Sequence, residues 1–181
     1  MQDALWVFGY ASLLWDPGFP VAERRAARLE GWHRSFCMWS IHHRGTPERP
    51  GLVLALDRAG GAVCHGLALR VAPGAEAQTL AYLRQRELVS SAYLERREEV
   101  VFSDGTAVAA LTYVVDREHA QYTGRLTLED QARVILGASG GRGANRDYLW
   151  NTADHLAELG VEDADLTWLS ARIRALAGHA G

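Results

Sequence analysis

The amino-acid sequence predicts an α+β fold in which a small, closed or nearly closed β-barrel carries surrounding and C-terminal helices. Three observations lead to this prediction. The segment from Arg24 to Arg44 is strand-like with apolar residues on both faces, which is typical of a barrel wall or a sheet covered by helices. Two pairs of shorter strand-like segments follow it. The last third of the chain has helical periodicity instead.

The composition is that of an ordinary globular protein. The chain has 181 residues, of which 48% are hydrophobic and 23% charged. This length and composition predict a single domain over residues 1–181, which buries about 70% of the surface that the unfolded chain exposes. A net charge of −3 argues against nucleic acid or an anionic membrane as a partner. No signal-peptide pattern opens the chain and no apolar run approaches the roughly 18 residues of a membrane span, so we expect a cytoplasmic protein.

Cysteine, lysine and histidine usage excludes several kinds of chemistry. Cys37 and Cys64 have neither metal-ligand nor disulfide-framework spacing, so we expect reduced, buried thiols. All 19 basic residues are arginine, which excludes a lysine Schiff base and a P-loop lysine. The seven histidines include no i, i+4 pair. We therefore expect no metal and no cofactor. For the oligomeric state, we expect a monomer.

The chain opens with an apolar strand, from Leu5 to Gly9, that leads into a turn of small residues. Gly9, Ala11 and Ser12 leave little side chain over the backbone, so neighbouring N–H groups can face a ligand directly. Such a loop suits a carboxylate, or the oxyanion that forms when an amide is attacked. The alternative is a first strand followed by an ordinary turn.

The predicted strands continue to about residue 116. One face of the long strand carries residues at a period of two, namely Trp32, Arg34, Phe36, Met38 and Ser40. A loop over residues 45–51 leads to two strands, 52–57 and 63–71, which a Gly60-Gly61 turn joins as a hairpin. Residues 93–102 and 107–116 predict a second hairpin.

Four helices are predicted. The first spans Ala75 to Leu88, and the second begins after its capping residue Thr127. The glycine-rich residues 137–143 follow a helix and lack a P-loop lysine, so they predict a flexible connection and not a phosphate cradle. Asn145 is expected to cap the third helix, which Gly160 ends, and residues 165–176 form the fourth.

One acidic residue lies on the apolar side of the first helix. Ala77, Leu80 and Leu83 form its apolar stripe, and position 87 continues the stripe nearly two turns after Leu80. That position is Glu87. An ordinary surface ion pair with a flanking arginine, Arg84 or Arg86, is one interpretation. The other is a carboxylate in an apolar pocket, whose pKa rises towards neutrality as a general acid or base requires.

Five segments, in order, resemble the ChaC-like γ-glutamylcyclotransferases over roughly residues 5 to 160. They are Phe8-Gly9-Tyr10-Ala11-Ser12-Leu13-Leu14-Trp15, Gly31-Trp32-His33-Arg34-Ser35-Phe36, His43-Arg44-Gly45-Thr46-Pro47, Tyr82-Leu83-Arg84-Gln85-Arg86-Glu87 and Asn145-Arg146-Asp147-Tyr148-Leu149. The resemblance implies the γ-glutamylcyclotransferase fold, a small β-barrel with surrounding helices. It also implies cleavage of glutathione to 5-oxoproline and cysteinylglycine, with no metal, nucleotide or covalent intermediate.

The resemblance assigns roles residue by residue. The catalytic glutamate falls on Glu87, and the loop that holds the γ-glutamyl group falls on Val7, Phe8, Gly9, Tyr10, Ala11 and Ser12. Tyr148 resembles a tyrosine that lines the substrate pocket, although a half-buried helix tyrosine is an equal alternative. Arg44 is a candidate for the glycyl carboxylate, with surface pairing as its alternative. Action on other γ-glutamyl amines or dipeptides, and a non-catalytic γ-glutamyl-binding module, are the rival functions.

The loop of residues 7–12, called the signature loop below, departs from the family at one position, where Ala11 replaces the second glycine. If this position needs a positive φ, alanine costs about 1 kcal/mol or more and its methyl group crowds the substrate. Ala11→Gly would then raise kcat/KM, which is the outcome that the family's glycine favours. If φ is negative, glycine only destabilises the fold, by about 0.4–1 kcal/mol.

Overall fold

A five-stranded closed barrel is the main β element of the structure. The computed structural model describes residues 3–88 and 92–178. The strands are β1 (Trp6–Gly9), β2 (Val21–Ser40), β3 (Gly51–Val71), β4 (Tyr93–Phe102) and β5 (Ala107–Val115), in the spatial order β1-β3-β2-β4-β5. A parallel contact of Val7 with Leu111 joins β1 to β5 and closes the barrel. The α+β prediction of a small barrel with helices is confirmed.

Helices occupy the connections and the C-terminal part. A 3₁₀ turn (Ser12–Leu14) follows β1, and α1 (Glu76–Glu87) joins β3 to β4. After β5 come α2 (Leu128–Gly137), a short hairpin of β6 (Ser139–Gly140) and β7 (Gly143–Ala144), α3 (Asn145–Glu158) and α4 (Ala164–Gly178). No helix in the described ranges is long and apolar enough to cross a membrane.

The chain divides into two compact units. The first comprises the described parts of residues 1–35 and 56–119, and the second comprises the described parts of 36–55 and 120–181. The core of the first contains Phe8, Leu29, Leu69, Phe102 and Tyr113, and that of the second contains Phe36, Leu52, Ile135, Leu149 and Leu169. A single domain over the whole chain stays a prediction.

β2 alternates in burial, and the alternation changes phase at one glycine. Leu29 is buried, and so are all five residues of the period-two face that begins at Trp32, which the structure shows to be the inner one. Gly31 has φ 83°, a conformation that glycine adopts without a steric penalty and that inserts an extra residue into a strand. The inner positions are therefore odd-numbered before Gly31 and even-numbered after it.

β3 differs from its prediction. Residues 52–57 and 63–71 were expected to form two strands, yet a single strand spans Gly51–Val71. The chain nevertheless reverses direction within β3. At Leu56, β3 pairs with β5 in the parallel sense. At Leu67–Arg70 it pairs with β1 in the antiparallel sense, and β1 is itself parallel to β5. Gly61, at φ 81°, lies between these two parts. The predicted hairpin of β4 and β5 is confirmed.

One expectation about the second unit is wrong, and another is refined. The glycine-rich segment connects α2 to α3 as predicted, and β6 and β7 pair within it. Asn145 does not cap α3, because Ala144 occupies that position. Instead the Asn145 amide accepts from the Leu52 N–H and donates to the Leu52 carbonyl oxygen, at 2.8 Å each. The buried amide thereby pairs with the backbone of β3 as a neighbouring strand would.

Candidate active site

Two hydrogen bonds of Tyr10, one at its hydroxyl group and one at its carbonyl oxygen, hold the loop after β1 in place. The Tyr10 hydroxyl donates to the Tyr113 carbonyl oxygen at 2.8 Å, and the Tyr10 carbonyl accepts from Arg34 Nε at 2.8 Å. Close packing fixes the start of the loop, since a Cβ on Gly66 would lie 2.3 Å from the Gly9 oxygen. Among the described residues, none accepts a hydrogen bond from the backbone N–H of Ala11 or Ser12. The loop is therefore ordered while keeping two backbone donors available.

Ala11 adopts a negative φ of −143°. The condition under which alanine would be strained, a positive φ, does not hold here. Glycine is therefore not required here to relieve a positive φ. Crowding of the substrate by the Ala11 methyl group, the other condition under which Ala11→Gly would raise kcat/KM, stays a prediction that the structure does not test. The Ala11 backbone N–H is retained, since the substitution changes only the side chain.

Glu87 is the last residue of α1, and its side chain is 18% exposed. Burial raises the pKa of its carboxyl group above the ordinary value, and the charge of Arg86 partly opposes the rise. The predicted inward orientation is thus confirmed. The stripe differs in detail, because Ala77 is exposed and Thr79 is buried in its place.

The two arginines that flank Glu87 in sequence have different partners. Arg84 forms a two-pronged ion pair with Glu95, at 2.9 and 3.0 Å. Arg86 Nε lies 3.4 Å from Glu87 Oε1, so the predicted ion pair exists for Arg86. The same guanidinium also donates to Ser12 Oγ at 3.0 Å and to the Asp16 carbonyl oxygen at 2.7 Å. Arg86 therefore joins the end of α1, and with it Glu87, to the signature loop.

A tyrosine and a second glutamate complete the cluster. Glu95 was, with Glu98, the alternative to Glu87 as the base, whereas no sequence pattern indicated Tyr113. The Tyr113 hydroxyl donates to Glu95 Oε2 at 3.1 Å. Burial, followed by the charges of Glu95 and Glu87, raises the pKa of Tyr113 far above its ordinary value, so the phenol stays protonated. The hydrogen bond from Arg84 lowers the pKa of Glu95. The pKa values of the two carboxyl groups therefore shift in opposite directions, and only that of Glu87 shifts in the direction that a general base at neutral pH requires.

Tyr148 lies in α3 of the second unit. Its hydroxyl accepts from the Leu54 N–H at 3.3 Å, and its ring contacts Phe36 edge-on. The guanidinium of Arg44 lies 5.5 Å from the Tyr148 ring centre and donates to the Ala144 carbonyl oxygen at 3.2 Å. Roles for Tyr148 and Arg44 in binding substrate stay predictions.

Within residues 3–88 and 92–178, no group of three or more histidine, cysteine or acidic side chains is arranged to hold a metal ion. His43 illustrates the surroundings of one histidine. Burial and the neighbouring charges of Arg142, His42 and Arg44 lower its pKa. Cys37 and Cys64 are buried free thiols, as predicted.

This arrangement defines a class of protein, namely a barrel enzyme with a buried carboxyl group and a loop of backbone N–H donors. Comparison with known proteins identifies the family within that class. The model of the ChaC-like protein family matches residues 5–176. The chain belongs to this family, and the resemblance seen in the five motifs is confirmed.

Relatives and solved structures agree with the assignment. The chain is 34% identical over 175 residues to the glutathione-specific γ-glutamylcyclotransferase of Escherichia coli, covering 97% of this chain and 75% of the relative. It is also 34% identical to γ-glutamylcyclotransferase 2-3 of Arabidopsis thaliana, covering 94% and 89%. The yeast glutathione-specific γ-glutamyl cyclotransferase superposes with a TM-score of 0.85 at 22% identity, over 96% of this chain and 97% of the yeast chain. The yeast structure supports the fold.

Proposed function

We propose that this protein is a γ-glutamylcyclotransferase that cleaves glutathione to 5-oxoproline and cysteinylglycine, with Glu87 as general acid and base. One observation carries the proposal, namely the 18%-exposed Glu87 carboxyl group whose pKa burial raises. A raised pKa brings the carboxyl group closer to neutral pH than that of an ordinary surface glutamate, which is the direction that a general base and acid requires. The name of the bacterial relative supports glutathione as substrate.

The reaction is an intramolecular transfer. The α-amine of the γ-glutamyl group attacks its own γ-carbonyl carbon, a C–N bond closes the five-membered ring, and the bond from that carbon to the cysteinyl nitrogen breaks. Two protons move in all from the attacking ammonium to the leaving nitrogen. Glu87 takes the first as attack begins and delivers it to the departing amine, and the same carboxylate then carries the second, so that it ends in the protonation state in which it began. Holding the reactive conformer contributes several kcal/mol, because attack needs no second molecule.

The signature loop supplies the complementary group. In the tetrahedral intermediate the γ-carbonyl oxygen becomes an anion, which backbone N–H donors stabilise most when they are fixed in advance. The N–H groups of Ala11 and Ser12 are the donors that we assign to this task. Arg86 bonds to both Ser12 and Glu87, and it thereby fixes the proton acceptor relative to the loop.

We also propose where the protein acts, its oligomeric state and the kind of partner it has. The protein acts in the cytoplasm as a monomer, without a metal or cofactor, and its partner is a small-molecule substrate and neither nucleic acid nor membrane. Two alternative functions are tested alongside glutathione cleavage. They are cyclotransfer on other γ-glutamyl amines or dipeptides, and non-catalytic binding of γ-glutamyl ligands. A pure binder has no use for a buried base, which favours catalysis.

Product analysis tests the proposal. Purified protein is incubated with glutathione or with γ-glutamyl-alanine, and 5-oxoproline and the released amine are quantified together. Equal amounts of 5-oxoproline and cysteinylglycine, formed faster than products from γ-glutamyl-alanine, are expected. Faster turnover of γ-glutamyl-alanine would favour the dipeptide activity. Binding without any 5-oxoproline would favour the non-catalytic module.

A further inference from the structure

Arg34 is a charged residue on the inner face of the barrel wall, and its side chain is almost wholly enclosed, since the residue is 3% exposed. The phase change at Gly31 places it there, because an uninterrupted alternation from Leu29 would put Arg34 on the outer face. A guanidinium enclosed in this way is costly unless its N–H groups are hydrogen-bonded. Its partners therefore indicate what the burial achieves.

The Arg34 guanidinium joins β2, the strand to which Arg34 belongs, to two other segments of the first unit. Its Nε donates to the Tyr10 carbonyl oxygen at 2.8 Å, on the signature loop. Its Nη2 donates to the His65 carbonyl oxygen and lies 3.4 Å from Cys64 Sγ, both on β3. A planar fork can serve acceptors on two segments at once, whereas a lysine ammonium on a flexible stem is less suited to hold both.

The bond to Tyr10 determines where the next backbone donor points. The described residues contain no cis peptide bond, and in a trans peptide the C=O and the following N–H point in opposite directions. Fixing the Tyr10 carbonyl on Arg34 therefore directs the Ala11 N–H away from the guanidinium. A charged donor on the carbonyl also polarises the amide, which strengthens the N–H as a donor.

We propose that Arg34 is a positioning residue, which fixes and polarises the Tyr10–Ala11 peptide so that the Ala11 N–H stabilises the oxyanion formed during cyclisation. The inference rests on the proposed function, because it assigns a role within that reaction. Arg34 touches the loop and not the reacting atoms. Its effect is expected in kcat more than in KM, since the oxyanion exists only in the transition state and intermediate.

A labelling scheme isolates this one peptide. Tyr10 is the only tyrosine that an alanine follows in the sequence, so protein labelled with [1-¹³C]tyrosine and [¹⁵N]alanine gives a single carbonyl–amide correlation, from Tyr10–Ala11. Arg34→Lys is compared with Arg117→Lys as the control. Arg117 also lies in the first unit and donates to Asp57 and to the Arg58 carbonyl oxygen. We expect an upfield shift of the Tyr10 carbonyl carbon in R34K and none in R117K.

The kinetic arm uses the same samples at a temperature at which both variants are folded. R34K should lower kcat on glutathione about tenfold or more with KM within about threefold, because loss of a complete oxyanion donor costs about 100- to 1,000-fold. R117K should keep wild-type kcat. An unchanged Tyr10 carbonyl signal in R34K, or wild-type kcat despite a shifted signal, would overturn the role of Arg34. No turnover by the wild-type protein would instead contradict the proposed function itself.

A measurement without substitution covers the case in which R34K does not fold. In wild-type protein labelled with [¹⁵N]arginine and [1-¹³C]tyrosine, the hydrogen bond should give a scalar coupling between Arg34 Nε and the Tyr10 carbonyl carbon. Detection supports the clamp in solution. Failure to detect the coupling in spectra in which the resonances of Arg34 Nε and of the Tyr10 carbonyl carbon are both assigned would overturn it.

Discussion

Glu87→Gln should remove activity and at the same time stabilise the fold at neutral pH. The side chain keeps its shape, so the change removes a charge that burial disfavours. Because the folded-state pKa of Glu87 lies above the unfolded value of about 4.5, each unit of the rise corresponds to about 1.4 kcal/mol by which the ionised carboxylate lowers the free energy of unfolding. At 18% exposure of the side chain, solvent screens little of this cost.

The pH dependence of the difference follows from its sign. Below pH 4.5 the carboxyl group is protonated in both states, so the wild type and Glu87→Gln should have similar stability. As the pH rises towards the folded-state pKa, the wild type loses stability relative to the variant, and above that pKa the difference is constant. Urea unfolding at a series of pH values measures this difference directly.

Glu95→Gln is the matched control, because the Arg84 hydrogen bond lowers the pKa of Glu95. Its ionised form stabilises the fold above the unfolded pKa, and this contribution disappears as the pH falls through the folded-state value. Glu95→Gln should therefore destabilise the protein at pH 7, the opposite of Glu87→Gln. A Glu87→Gln variant that is less stable than wild type at pH 7, or whose difference does not vary with pH, would refute the reasoning.

Three further substitutions give separable outcomes. Arg86→Met removes the charge that lowers the pKa of Glu87, so the acidic limb of the kcat/KM profile should move to higher pH; an unmoved limb would contradict the role of Glu87 as base. Tyr148→Phe should lower kcat/KM on glutathione, whereas unchanged kinetics with a stability loss of about 1–3 kcal/mol would show that the hydroxyl serves only the Leu54 N–H. Ala11→Gly, at φ −143°, should lower stability by about 0.4–1 kcal/mol without raising kcat/KM, and a rise in kcat/KM would show that the methyl group crowds the substrate.

The sequence predicted what local periodicity and chemistry determine. The β4–β5 hairpin and the inward carboxylate of Glu87 both follow from spacing within one segment. The cap at Thr127 is equally local, since the Thr127 side chain accepts from the Asp130 N–H three residues on. Each of these features depends on residues within one continuous stretch of the chain.

Features that depend on distant partners were not predictable in the same way. Asn145 has the chemistry of a cap, yet its amide pairs with Leu52, 93 positions away. The period-two pattern groups Arg34 with Trp32 and Phe36 on one face but does not say which face is buried. Nothing local indicates that Tyr10 and His65 would receive the N–H groups of Arg34. Arg86 was indistinguishable from a surface arginine until the loop that it reaches was in place.

The most direct test of the mechanism measures turnover and binding of glutathione on the same sample of Glu87→Gln. Formation of 5-oxoproline is followed against wild type, and glutathione affinity is measured by calorimetry. We predict that the variant binds glutathione but turns it over about 100- to 10,000-fold more slowly, since it keeps the shape of the side chain and loses only the base. Turnover within a few-fold of wild type would contradict the assignment of Glu87 as the general acid and base.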